Sequence, residues 1–200
     1  MKNLKMHFLI GGFALLAACS PSNKEEEGAT EEQEVAAVET EEPVAEEEVL
    51  NTAKAVISSA SGSSLTGEAT FTDLGGGDVT FKLTVENATP GEHALHLHET
   101  GDCSAPDATS AGGHWNPAEV KHGKRAVDHQ YHAGDIANLE VGEDGKGILT
   151  ATVSGWTIGG PDSTNIINKA IIIHAQADDF VSQPSGAAGK RVGCGVIQKN

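Results

Sequence analysis

The residues best able to do chemistry in this chain are its histidines. Seven of the nine lie between His93 and His132. The segment Gly91–Asp102, GEHALHLHETGD, holds His93, His96 and His98. Neutral imidazole is a good ligand for zinc, copper and their neighbours. Side chains alternate along a strand, so His96 and His98 share one face and His93 takes the other. Two imidazoles on one rigid face make half of a metal site. Farther on come His114, His122, His132 and Asp135. HAGD sets a carboxylate three residues after a histidine, a spacing suited to one metal held by a turn. His129 lies in the same interval, six residues before Asp135, and is a rival ligand. His174 stands apart on a later apolar stretch. Nitrogen and carboxylate donors in a tetrahedral set suit Zn²⁺, and an all-imidazole tetragonal set suits Cu²⁺. A lone histidine would be read as a solvated loop residue; this density argues against that.

Such side chains need a rigid frame. FKLTVE, from Phe81, alternates apolar and polar residues as a half-buried strand does. TGEATFTDL reads as a strand ended by Gly75, Gly76 and Gly77. EDGKG at 143–147 reads as a turn, followed by the strand ILTATVSG. AIIIHAQA at 170–177 is a short buried strand. No segment has a long helical period. About eight short strands with Gly-rich turns predict an all-β sandwich or barrel. Residues 99–135 are long and poor in strand signals, and such a loop in a compact domain is usually functional.

The net charge is −16, and twelve glutamates against one lysine give residues 20–50 alone −11. Residues 51–200 carry −7, which excludes a basic nucleic-acid surface. The start, MKNLKMHFLIGGFALLAAC, has Lys2 and Lys5 before an apolar run, Phe8–Ala18, too short to span a membrane. Leu16-Ala17-Ala18-Cys19 resembles the bacterial lipobox, which implies cleavage before Cys19 and lipid on its sulfur. Residues 1–18 are then a signal peptide, 19–51 an acidic disordered tether, and 52–200 the folded domain. Ser20, where an aspartate would favour inner-membrane retention, points to the outer membrane, periplasmic side or cell surface. KEEE could serve as a surface-export signal. With Cys19 lipidated, Cys103 and Cys194 remain as candidates for one disulfide in an exported protein.

GEHALHLHETGDCSAPDATSAGGHWNP and KRVGCGVI are similar to signature stretches of the copper/zinc superoxide dismutase family. The resemblance runs from about residue 62 to 198. It implies an eight-stranded Greek-key barrel with long metal-binding and electrostatic loops. It implies an enzyme that turns superoxide into dioxygen and hydrogen peroxide, with one copper and one zinc per subunit. The copper ligands would be His96, His98, His114 and His174. The zinc ligands would be His114, His122, His132 and Asp135, with His114 shared. Asp178 would link a copper ligand to a zinc ligand, and His93 would hold the loop without touching metal. Arg191 would stand beside the copper, making it and His114 the catalytic pair. Cys103 and Cys194 would form the disulfide.

Two departures stand out. His122 and His132 are ten residues apart, one more than in the commonest eukaryotic form. Gln176 stands where eukaryotic members often carry a steering lysine. The implied partners are superoxide and, through Cys19, a membrane in the bacterial cell envelope; the protein would be a monomer or homodimer. The competing reading is a lipoprotein of the same fold that buffers or delivers copper or zinc without turnover. The intact ligand set and Arg191 favour the enzyme.

Overall fold

The computed structural model describes residues 51–200. The expectations for residues 1–18, for Cys19 and for the acidic stretch up to residue 50 lie outside the described residues. Ten strands form: β1 (Thr52–Ser59), β2 (Thr66–Asp73), β3 (Asp78–Glu86), β4 (Gly91–His93), β5 (Leu95–His98), β6 (Leu139–Val141), β7 (Gly147–Ser154), β8 (Ala170–His174), β9 (Arg191–Val196) and β10 (Gln198–Lys199). Eight runs were expected, and interruptions account for the difference. A break at Ala94 separates β4 from β5, and one at Ile197 separates β9 from β10. The only helical element among the described residues is a 3₁₀ turn, Thr109–Ala111.

All strand pairs are antiparallel, and the order is β4-β6-β7-β3-β2-β1-β9-β8-β5, with β10 on β1. β4 and β5 belong to one run, so Gly91–His98 sits at both ends of that order and nearly closes a barrel. The order β4-β6-β7-β3 is a Greek key, because β3 runs into β4 after four residues yet lies beside β7, on the far side of the β6-β7 hairpin.

Alternation builds the interior. β3 buries Val79, Phe81, Leu83 and Val85, while β1 buries Ala53, Ala55 and Ile57. Phe81 stacks on Phe71 with ring centroids 6.0 Å apart and leans on Trp156 at 6.0 Å. β5 and β8 differ, being buried on both faces. Leu95, Leu97, Ile171 and Ile173 enter the main core. On the opposite face Ala170 and Ile172 pack with Ala60, Ala108, Ala111 and Cys194 beneath the segment after β5. This second covering explains the unbroken apolar run AIII before His174.

A disulfide between Cys103 and Cys194, with Cα atoms 5.8 Å apart, fastens that segment to β9. It closes a loop across 91 positions, for which chain entropy gives roughly 4–5 kcal/mol. Replacing both cysteines with serine is expected to lower unfolding free energy by about 2–5 kcal/mol. Urea midpoints of oxidised parent and variant check this; equal midpoints at equal slope would show that the covalent link adds nothing.

Candidate metal centre

The centre is built where three stretches of backbone meet. Leu97 N–H donates to the Gly134 carbonyl at 2.9 Å, Gly134 N–H to Trp115 at 2.9 Å, and Trp115 N–H to Leu97 at 2.8 Å. Isolated bridges pair His96 with Asp135 and His98 with His114. The two loops therefore extend the sheet beyond β5 and bring their donors over its outer face. Gly134 is required at this crossing, because a side chain there would run into the Leu97 carbonyl.

His96 and His98 point to that outer face, and His174, at the end of β8, joins them. β8 and β9 slip register after Ile173, which sets His174 opposite Arg191. His98 Nδ1–H donates to the Gly112 carbonyl at 2.9 Å, which leaves Nε2 a bare acceptor. His96 Nε2–H donates to Asp178 Oδ2 at 2.8 Å, leaving Nδ1 bare. His174 Nδ1 reaches the Gly189 carbonyl at 3.4 Å, leaving Nε2. His96 Nδ1, His98 Nε2, His114 Nε2 and His174 Nε2 are all buried without a hydrogen-bond partner. One donor atom from each of these four residues lies within 4.8 Å of the others.

The second cluster gathers on Asp135 Oδ1. It lies 3.0 Å from His114 Nδ1, 3.0 Å from His122 Nδ1 and 3.3 Å from His132 Nδ1. Its other oxygen accepts from the backbone of His132 at 2.8 Å and Gly123 at 3.2 Å, which fixes the carboxylate. By mutual distance alone it is His96, not His132, that groups with His114, His122 and Asp135. Its Nε2, however, is spent on Asp178, and its Nδ1 belongs to the first set. His129 is exposed and in neither cluster.

His114 faces both sets, with its ring centroid 3.9 Å from that of His96 and 5.3 Å from that of His132. Asp178 spans them from behind, with Oδ2 on His96 and Oδ1 accepting from His122 Nε2 at 2.9 Å. Gly186, at φ +65°, packs against this link, and a side chain there would strike Asp178 and stand 2.8 Å from His122 Nε2. His93 is buried outside both clusters, with Nδ1 2.7 Å from the His174 carbonyl and Nε2 2.8 Å from that of Thr89. Its ring holds the backbone of a cluster residue rather than joining the cluster.

Two contributors had no sequence signal. Gln183 accepts from His122 N–H at 3.0 Å and donates to the His122 carbonyl at 2.9 Å, strapping one loop to the other. Asn138 makes the same double bond with the backbone of Asp178, at 2.8 and 3.1 Å. Both are loop amides whose partners lie 40 or more positions away, and no local pattern marks them.

Burial pushes the pKa of His98 down to about 2, of His174 to about 3 and of His114 to about 4. Neighbouring imidazoles add to the depression, and the His114–Asp135 contact opposes it only in part. These three rings are neutral near pH 7, the form that binds a metal. Burial also works against a charge on His122, but Asp135 and Asp178 outweigh it and push its pKa up to about 9. Both carboxylates are held well below the usual range by the histidines bonded to them, against the opposing effect of burial.

The first cluster opens on a cleft of about 750 Å³ lined by His98, His114, His174 and Arg191. Arg191 donates to the carbonyls of Ala108 at 2.6 Å and Gly112 at 2.7 Å. Its guanidinium is thus pinned in the cleft wall.

Residues 65–197 match the family described as copper/zinc superoxide dismutase (SODC). The chain belongs to the copper/zinc superoxide dismutase family. It is 39% identical over 144 residues to a protein named superoxide dismutase [Cu-Zn] from Deinococcus radiodurans, covering 67% of this chain and 78% of that relative. The two clusters are consistent with the copper and zinc of the family name, and this superoxide dismutase is accordingly an oxidoreductase.

Unfolding frees His98, His114 and His174 to take up protons below about pH 6.5, while the folded chain resists until lower pH. The unfolded state binds more protons in that window, so stability falls as pH falls. His122, with its raised value, contributes fully below 6.5 and does not oppose this. The metal-free protein is expected to lose melting temperature steadily from pH 6.5 to 4; a flat profile refutes the assigned neutrality. His93→Ala is expected to reduce stability while the protein still takes up copper, as read by metal analysis. Complete loss of copper from a folded variant would put His93 among the ligands.

Proposed function

We propose that this chain is a lipid-anchored superoxide dismutase of the bacterial cell envelope. Copper would be held by His96 Nδ1, His98 Nε2, His114 Nε2 and His174 Nε2. Zinc would be held by His114 Nδ1, His122 Nδ1, His132 Nδ1 and Asp135 Oδ1. The observation that carries this reading is the convergence of bare buried nitrogens at the first cluster, with His114 presenting its other nitrogen to the second. Burying an unpaired acceptor costs about 1–3 kcal/mol, so several together make sense only around a cation.

Copper supplies one-electron chemistry, and zinc, which has no redox role, supplies fixed charge and shape. The protein groups do the rest. His114 lies at the cleft wall and can hold a proton at Nε2 while Nδ1 stays with the Asp135 side. That proton is then available for peroxide formation. Arg191 offers a fixed positive charge and planar donors at the cleft, suited to orienting a small anion. The domain's charge of −7 does not oppose this strongly, because charges beyond about 8 Å are largely screened in physiological salt. Gln176 leaves the approach without a lysine at that position, so Arg191 carries more of the local attraction. Asp178, bonded to both His96 and His122, keeps the two ligand sets in one orientation.

Anchoring rests on the lipobox-like Leu16–Cys19, followed by an acidic tether that would hold the domain away from the bilayer. A buffering lipoprotein would have no use for a guanidinium pinned beside the copper donors.

Purified protein loaded with both metals is expected to remove superoxide with one copper and one zinc bound per chain. Stoichiometric metals without dismutation would leave only the buffering reading. His114→Ala is expected to abolish most activity; full activity would refute the proton role. Labelling with a fatty-acid analogue, lost in Cys19→Ser, tests the anchor separately.

A further inference from the structure

Arg125 follows His122 by three residues, in the loop that leads to His132. Between those histidines Lys124 and residues 126–130 are exposed. Arg125 instead turns its side chain under the loop. Nε donates to the Asp135 carbonyl at 2.8 Å, and Nη2 to the His132 carbonyl at 3.3 Å and to that of Ala133. Nη1 donates to the Ser154 carbonyl, at the end of β7, at 3.3 Å. The guanidinium lies over Tyr131 at 4.8 Å and Trp156 at 5.7 Å, and Trp156 Nε1–H donates to Ala133 at 2.7 Å. Among the described residues, no carboxylate is within ion-pair distance of it. Its donors therefore go to main-chain carbonyls, and three of these belong to the turn that presents His132 and Asp135.

We propose that Arg125 is a positioning residue for the zinc set. Its rigid fork fixes the His132–Asp135 turn against β7 and Trp156. That sets the aim of His132 Nδ1 and Asp135 Oδ1, although Arg125 touches neither donor atom. Lysine substitutes only in part, because an ammonium is a compact, strongly hydrated charge that cannot span carbonyls on two elements in one plane. The guanidinium also suits the flat slot beside Tyr131 and Trp156. The inference rests on zinc being held by His114, His122, His132 and Asp135.

The purified full chain and its Arg125→Met and Arg125→Lys variants provide the test. Zinc affinity is read by competition with a chromogenic chelator, and geometry by the visible absorption of Co²⁺ bound in place of zinc. Groups behind a metal's ligands typically contribute ten- to hundredfold in affinity. Zinc affinity is expected to fall about a hundredfold in Arg125→Met and about tenfold in Arg125→Lys. The Co²⁺ bands should shift in both, while copper affinity stays at the parental level. Where Arg125→Met does not fold, the Lys variant decides by the same readouts. Parental zinc affinity and Co²⁺ bands, with only a lowered melting temperature, would overturn the clamp. A parent protein that binds no zinc at this cluster overturns the assignment itself, and the clamp with it.

Discussion

Burying a knot of imidazoles and carboxylates in a small β domain is the constraint that shapes this molecule. A buried polar group costs free energy unless it is paired. The structure meets the cost by dividing the donors of each ring. One nitrogen of His96, His98, His122 and His174 is bonded to a carbonyl or to Asp178. The other nitrogen of His96, His98 and His174 is left bare and aimed at a common point, and that of His122 faces Asp135 in the second cluster. The same hydrogen bonds that stabilise the rings thus choose their tautomers, which makes the ligand set specific before a metal arrives.

This arrangement explains why β5 is buried on both faces. Its inner residues, Leu95 and Leu97, complete the barrel core, and its outer residues, His96 and His98, form the floor of the centre. The barrel provides rigidity that loops lack. The loops provide what a strand cannot, namely donors approaching the floor from above. Backbone contacts of Leu97, Trp115 and Gly134 hold the two together at one crossing, while the Cys103–Cys194 disulfide and Arg191 tie the segment after β5 to β9. The two metal clusters meet at His114 in front and at Asp178 behind, which gives them one shared wall and one shared carboxylate.

Much of this was legible in the chain. The alternation in Phe81–Glu86, the Gly-rich turns and the absence of a helical period gave the all-β class. The i, i+2 spacing of His96 and His98 placed them together, because strand parity is a local property. Resemblance to a known family supplied the long-range grouping. Strand count was less legible, since the break at Ala94 depends on β4 and β5 pairing with different partners, β6 and β8. Gln183, Asn138 and Arg125 were invisible, because an amide or guanidinium that bonds to main-chain carbonyls leaves no periodicity.

The amino-acid sequence by itself determined which donors exist, the strand scaffold that could carry them, and the acidic balance that excludes a nucleic-acid surface. Two histidines illustrate what it left open. His129 and His132 are both plausible by type and spacing. Only the folded loop exposes His129 and brings His132 Nδ1 within 3.3 Å of Asp135. The same holds for the register slip that sets Arg191 opposite His174. Such choices are made by backbone contacts between segments far apart in the chain, and no local rule of residue type or spacing encodes them.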